Sequence, residues 1–499
     1  MKQRKRQFVA EIVKLVLTAF FVLLFFSEVW GYRNWDSMTW EELVFQMHTL
    51  EGTGGGMVER YFREAFAPAA AVFSLILVFF FTIKIRKKDH RRFSGMAVLV
   101  SLILCGFMTV FFGHSLGLFR YYKGSASKEL TGVLGEKEFI EYYYVDPAEV
   151  EISFPEKKRN LIYIFMESME MTYGDPSVGG DFDENVIPEL TELGLSGDDF
   201  SEPGRLNGAV VYNGTNWTMA GMFAQSTGLP LKVPTDLVNH LDLVEEFFPS
   251  VTALGDILEK EGYHNELLVG SYGDFGGREN YYRHHGDYEI YDLRTAYENG
   301  DVPKDYYVWW GIEDKKLFRT ARRQILRLAD EEKPFALTLL TADTHFEDGY
   351  LCEDCEDDFK ENDYADVMHC SGKRVSNFVK WIMTQDFYEN TTIVICGDHL
   401  TMDTDFCDDV DADYQRRTYM TILNSAAGEK DRYREYSTLD MYPTTLAAMG
   451  ADIEGEKLGL GVNLYSREAT LTEKYGYENV EKLLSEKSPF MGKLSGLGE

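Results

Sequence analysis

Charged residues make up 26% of this 499-residue chain, yet residues 65–83 and 93–119 contain no Lys, Arg, Asp or Glu. Runs of that length without charge are not core helices of a water-soluble protein, and each can cross roughly 30 Å of hydrocarbon. A third, shorter run covers Leu15–Trp30, with Lys14 and Glu28 placed to snorkel from its ends. A cleaved signal peptide would explain this first run alone, and no small-residue cleavage site follows it. Basic charge is the second shortage. Residues 1–119 hold 14 Lys+Arg against 9 Asp+Glu, whereas the remainder holds 36 against 73 and carries a net charge of −37. Such an acidic region excludes nucleic acid or another polyanion as the main partner. Cysteine is scarce too, with six residues in all, and the chain has neither an internal repeat nor a low-complexity tract.

What basic charge there is sits in two places. Lys2, Arg4, Lys5 and Arg6 precede the first apolar run, and Lys84, Arg86, Lys87, Lys88, Arg91 and Arg92 fill the loop between the second and third. The positive-inside rule puts both clusters in the cytoplasm. The expectation is a multi-pass cell-membrane protein with a cytoplasmic N-terminus and three helices, at about 12–30, 65–85 and 93–119, within a membrane region 1–120. Everything after residue 120 is then extracytoplasmic. Tyrosine-rich 121–158 reads as a linker, 159–470 as one folded domain and 471–499 as a tail.

Within the domain, short apolar stretches alternate with helical ones. Asn160–Phe165, Glu266–Gly270, Phe335–Thr341, Thr391–Cys396 and Thr418–Leu423 read as buried strands; Val251–Glu261, Glu313–Glu331 and Gly372–Gln385 read as helices. This pattern predicts an α/β/α domain with a mostly parallel central sheet. Ligands of such sheets bind beyond the carboxyl ends of the strands. The residues that follow the strands are Glu167, then Arg278, then Asp343 and His345, then Asp398 and His399.

The segment Gly208–Pro230, GAVVYNGTNWTMAGMFAQSTGLP, adds a hydroxyl. Thr215 stands behind Gly214 and before a candidate helix, where N–H groups and the helix dipole favour an anion. Plain helix capping by Thr215 and Thr218 is the alternative. Glu167, Asp398 and His399, with Thr215 as a fourth, form an oxygen and nitrogen donor set suited to Mn²⁺, Zn²⁺ or Mg²⁺. A divalent ion lowers the pKa of a hydroxyl that it binds. Arg278 offers a fork for phosphate or sulfate, and His345 a general acid. Together these residues predict metal-assisted hydrolysis or transfer of phosphate or sulfate esters.

The same motifs, in order, resemble the lipoteichoic-acid synthase and phosphoglycerol transferase family of the alkaline phosphatase/sulfatase superfamily. The resemblance runs from about Asn160 to Ser466 and rests on several stretches: NLIYIFMES, GTNWTMAGM, FFPSVTALGDILEKEGY, FGGR, TADTH, CGDHLTM and STLDMYPTTLAAMG. It implies transfer of glycerol phosphate from phosphatidylglycerol to an envelope acceptor (lipoteichoic acid, a glycolipid or a glucan) through a covalent threonine intermediate. It also implies one divalent ion, Mn²⁺ before Mg²⁺ or Zn²⁺. By position, Thr215 becomes the nucleophile, Glu167, Asp398 and His399 the metal ligands, Arg278 the phosphate contact and His345 the histidine motif, with Asp343 and Trp217 as further substrate contacts. Two departures stand out. Phe346 replaces a second histidine, and Gly276 stands where lipoteichoic-acid synthases carry tryptophan. A phosphoethanolamine transferase or a sulfatase-like hydrolase is the competing enzyme reading, although GTNWT lacks the C/S-x-P-x-R signature of formylglycine sulfatases. A receptor that kept the fold and lost activity should show a broken ligand set, and this one is intact.

Cys105 and Cys396 read as buried apolar residues, while Cys352, Cys355, Cys370 and Cys407 cluster in and near the acidic stretch after His345. Outside the cell disulfides are expected before a zinc site. The resemblance implies Cys355 with Cys370, which leaves Cys352 with Cys407.

Overall fold

The computed structural model describes residues 2–34, 43, 58, 60–86, 90–118, 137–232, 246–360, 362–403, 405–428 and 433–496. Lys87 and Lys88 of the basic loop, residues 121–136 of the expected linker and the last three residues lie outside the described set. Two compact units emerge, one of residues 1–43 and 50–123, the other of 44–49 and 124–499.

The first unit is helical. Helices α1 (Lys2–Asn34), α2 (Ala67–Ile85, continuing a π-turn at Phe62–Phe66) and α3 (His90–Ser115) are long and apolar enough to cross a membrane. Large side chains such as Phe20, Leu75, Val78, Ile103 and Phe107 point outward, as a lipid-facing surface requires. Glu28 does not snorkel as expected. It is buried on the α1–α3 seam, where Thr109 Oγ1 donates to its Oε1 at 2.5 Å, because satisfying the carboxyl internally avoids leaving it bare in an apolar layer.

The second unit holds a six-stranded sheet. Its strands are β1 (Asn160–Met166), β2 (His264–Val269), β3 (Glu289–Tyr291), β4 (Phe335–Leu340), β5 (Thr391–Gly397) and β6 (Met420–Leu423), in the spatial order β3-β2-β4-β1-β5-β6. All pairings are parallel except β5 with β6. Every residue of β1, β4 and β5 is buried, which explains why they read as continuous apolar runs: helices cover both faces. Two apolar cores result, one on each side of the sheet. The five expected strands all form. Strand β3 was missed because its three residues, Glu-Ile-Tyr, carry too little pattern.

Two boundaries differ from expectation. From residue 137 the supposed linker is folded: Phe139 and Ile140 enter the core, and Ile152–Ser153 pairs with Asp452–Ile453. The supposed tail forms three helices, Leu471–Tyr475, Tyr477–Leu484 and Pro489–Leu494, which put Leu471, Val480, Leu484 and Met491 into the same core. Alternating apolar positions in short helices did not stand out among the charged residues around them.

Candidate active site

Parallel strands deliver their following residues to one edge, and here the centre of the sheet does so. Glu167 follows β1, and Asp398 and His399 follow β5, the neighbouring strand. All three are buried, and their ligand atoms lie within 4.8 Å of one another. His399 Nδ1–H donates to the Leu400 carbonyl at 2.7 Å, which turns Nε2 toward Glu167 Oε1 at 3.2 Å and Asp398 Oδ2 at 3.5 Å. Asp398 Oδ1 accepts from the N–H groups of Ser168 at 2.9 Å and His399 at 2.8 Å. Ser168 sits in the left-handed region at φ 55°, held there by that bond and by its hydroxyl, which donates to Glu167 Oε1 at 2.9 Å.

The electrostatics follow from this crowding. Burial and the Glu167 charge push Asp398 up to about 8. Burial works against a charged imidazole, but Asp398 and Glu167 overcome it and raise His399 to about 10. Burial opposes the Glu167 charge as well, yet His399 holds that carboxylate down at about 2. Asp398 Oδ2 receives no hydrogen bond although it is buried. A hard or borderline divalent cation suits such a group: two carboxylates and an imidazole converge, and one buried oxygen has no donor.

The hydroxyl at this edge is Thr218, not Thr215. Helix α4 spans Thr218–Thr227 and starts after Trp217, whose extended backbone (φ −144°, ψ 163°) leads into it. Half-buried Thr218 Oγ1 donates to Glu167 Oε2 at 3.2 Å and lies 3.4 Å from His399 Nε2. Thr215 is fully buried one turn earlier. Its hydroxyl donates to the Tyr212 carbonyl and accepts from the Tyr212 N–H, each at 3.0 Å, so it closes a turn. Helix α4 lies close on the β5 end: a Cβ at Gly221 would come within 2.1 Å of the Asp398 carbonyl oxygen.

Arg278 opens helix α5 (Arg278–His284) and joins the same pocket, with Thr218, Glu167, Ser271, Trp310 and His345 among its lining. The turn before it places Gly276 at φ 65° and Gly277 at φ 78°, a left-handed pair that explains the FGG in the sequence. The guanidinium is buried, donates to Ser271 Oγ at 2.8 Å and the Tyr272 carbonyl at 3.2 Å, and lies over the Phe275 ring. Its Nε, buried too, has no acceptor, and burial lowers its pKa. An anion would satisfy it.

His345 lies across the pocket. Its Nδ1–H donates to the Phe346 carbonyl at 2.7 Å and leaves Nε2 as an acceptor; burial lowers its pKa. Trp310 stands 4.4 Å from its ring and 5.6 Å from Phe275. Neither Trp310 nor Ser271 was found in the sequence. A tryptophan pair between elements has no periodic signature, so only the TADTH partner pointed here. Trp310 supplies an aromatic wall between Phe275 and His345.

Two expected substrate contacts are turned elsewhere. Asp343 Oδ1 accepts from the Asp314 N–H at 3.0 Å, at the start of helix α6 (Asp314–Ala329). Trp217 packs into the apolar core under α4. The cysteines differ as well. All six are free thiols; Cys352, Cys355 and Cys370 come together, with Cys352 central, while Cys407 lies apart, half-buried near Glu170 and Arg416. Of the expected partners, Cys355 and Cys370 lie together without a bond between them, and Cys352 sits with them rather than with Cys407.

Comparison with known proteins agrees with this geometry. Phosphoglycerol transferase I of Salmonella choleraesuis is 27% identical over 459 residues, covering 90% of this chain and 56% of its own. The Salmonella typhimurium protein of the same name is 27% identical over 454 residues, covering 89% and 55%. The chain thus spans little more than half the length of these curated relatives. A protein of the alkaline phosphatase superfamily from Vibrio parahaemolyticus shares the fold, at TM-score 0.50 and 18% identity over 71% of this chain and 82% of that one. The sulfatase family model matches residues 159–451, more than half of the sequence and the whole site described above. The chain belongs to the sulfatase family.

Proposed function

We propose that this protein is a membrane-anchored phosphoglycerol transferase that moves glycerol phosphate from phosphatidylglycerol to an envelope acceptor through a covalent intermediate on Thr218. One observation carries the reading: the Thr218 hydroxyl and the underused guanidinium of Arg278 line one pocket with Glu167, which belongs to the buried three-donor cluster. The name of the Salmonella relatives supports the choice of group transferred. The apolar helices α1–α3 are the anchor, with the N-terminus cytoplasmic and the catalytic domain outside.

Glu167, Asp398 and His399 would hold the divalent ion, with Mn²⁺ the leading candidate. When bound, such an ion supplies Lewis acidity that favours an ionised hydroxyl nearby. The protein's own groups do the rest. Arg278 binds the phosphodiester and spreads its charge. Thr218 Oγ attacks phosphorus, the bond from phosphorus to the diacylglycerol oxygen breaks, and diacylglycerol leaves as the alcohol. The proton lost by the threonine and the one gained by the leaving oxygen balance, and in this reading His345 hands the proton to the leaving oxygen through Nε2. An acceptor hydroxyl then attacks the glycerophosphothreonine, and the hydroxyl of Thr218 is restored.

The test gives labelled phosphatidylglycerol to the full chain, with and without Mn²⁺. The expected result is ion-dependent diacylglycerol release and glycerol phosphate on the peptide containing Thr218. Thr218→Ala should lose several powers of ten in rate while staying folded. Normal turnover by that variant would overturn the mechanism, and label appearing only as free glycerol phosphate would make the protein a hydrolase.

A further inference from the structure

A second cluster of ligand atoms lies in the same unit. Cys352 and Cys355 belong to the segment after His345, and Cys370 to helix α7 (Asp363–Ile382). Their sulfurs lie within 4.8 Å of one another, with Cys352 Sγ 3.5 Å from Cys355 Sγ and 3.8 Å from Cys370 Sγ. A tetrahedral ion with Zn–S bonds near 2.3 Å sets its sulfurs about 3.8 Å apart. The backbone is arranged for thiolates. The Asp354 N–H donates to Cys352 Sγ at 3.4 Å and the Cys352 N–H to Cys355 Sγ at 3.3 Å, while Cys355 N–H closes a tight turn onto the Cys352 carbonyl at 3.1 Å. Amide donors wrapped around a C-x-x-C pair are what negative sulfur needs. Arg374, one turn beyond Cys370, brings Nη2 to 3.2 Å from Cys352 Sγ and 3.5 Å from Cys370 Sγ.

We propose that Cys352, Cys355 and Cys370 bind a thiolate-seeking divalent ion of the zinc class, separate from the ion of the catalytic cluster. Three thiolates and one divalent ion carry a net charge of −1, which the Arg374 guanidinium balances. A disulfide would use only two of the sulfurs and leave the third, with its amide donor and the arginine, without purpose. The remaining coordination position falls to an oxygen, from Asp354 or from solvent, as in other three-cysteine sites that are completed by a harder donor. The ion ties the segment leaving His345 to α7. That segment is also held by Lys315 of α6, which pairs with Glu353 at 2.6 Å and Asp354 at 3.0 Å. The site is structural: it fixes the path of the chain just beyond the catalytic histidine.

The test uses the full chain in detergent, isolated anoxically without reductant. Metal is removed and Co²⁺ added as the probe. Sulfur-to-cobalt charge-transfer absorption in the near ultraviolet is expected, because the catalytic donors include no sulfur and cannot produce it. Cys352→Ser should lose most of that band, and Cys407→Ser should keep it. Alkylation of the wild type, which needs no variant to fold, should spare the three cysteines until a chelator is added. The proposal fails if unreduced peptides show any two of the three joined, if the reloaded wild type has no such band, or if Cys352→Ser keeps it undiminished.

Discussion

Two pairs of acids meet at the carboxyl ends of neighbouring strands of the central sheet, and they have opposite fates. Beyond β1 and β5, Glu167 and Asp398 meet His399 and turn toward the pocket, with one oxygen of Asp398 left without a donor. Beyond β4, Asp343 and Asp314 are consumed by backbone: Ala342 N–H donates to Asp314 Oδ1 at 2.8 Å and Asp314 N–H to Asp343 Oδ1 at 3.0 Å. What separates a proposed ligand from a clasp is therefore the oxygen left over: Asp398 spends Oδ1 on two amides and keeps Oδ2 bare. The difference lies in what meets each end: backbone amides bind the acids beyond β4 to the start of a helix, whereas the residues beyond β5 meet the start of α4 through the Thr218 hydroxyl.

Removing a ligand should have the largest effect. Asp398→Asn should abolish diacylglycerol release by several powers of ten and lower bound divalent metal, with the circular dichroism spectrum unchanged. If Asp343→Asn lost as much turnover as Asp398→Asn, the distinction between ligand and clasp would collapse. Next comes Gly221→Ala. Its Cβ would meet the Asp398 carbonyl oxygen at 2.1 Å, so the helix bearing Thr218 must shift. Overpacking of this kind costs about 1–3 kcal/mol, seen in denaturant melts, and rate should fall further than stability because the threonine moves.

The clasp is sharpened by pH. Burial pushes Asp314 up to about 6, and burial with the Asp314 charge pushes Asp343 up to about 9. Both values exceed those of the unfolded chain, so the folded state holds extra protons. That stabilisation is complete below the ordinary carboxyl pKa of about 3.9 and is lost as pH rises through the folded values. Asp343→Asn keeps an oxygen for the Asp314 N–H and removes the titration. Its denaturation midpoint should fall less than the wild type's between pH 6 and pH 9. An equally steep fall would remove Asp343 from the clasp. The smallest effect belongs to Thr215→Ala, which loses the turn onto Tyr212, about 1 kcal/mol, and should leave turnover near normal once the protein is folded.

The sheet was legible because buried parallel strands must be apolar throughout, and residues such as Glu167, Asp398 and His399 interrupt that pattern at its ends. Arg278 was legible through the glycines that its turn demands. The hydroxyl that reaches the carboxylate and imidazole lies three residues beyond the one that Gly214 singled out, since GTNWT offers two. Gly221 held the better signal: a small residue one turn into a helix marks where that helix presses on another backbone. Asp343 looked equivalent to Asp398, because no one-dimensional pattern tells which amide will reach a carboxylate. Cys352 was displaced from its cluster by counting sulfurs in pairs, when geometry groups them in threes.

The final helices give the chain an order of assembly. Tyr212 Oη and Thr472 Oγ1 lie 2.9 Å apart, the Asn213 N–H donates to Glu481 Oε2 at 2.8 Å, and the rings of Tyr212 and Tyr477 stack at 5.4 Å. The strand of chain that leads into Thr218 is thus moored to residues made more than two hundred and fifty positions later. A ribosome that stalls before them has already made all six strands of the sheet and leaves the threonine unmoored. The approach of the chain to Thr218 is thus set by contacts distant in sequence, and a chain cut before Leu471 keeps every strand of the sheet while losing these moorings.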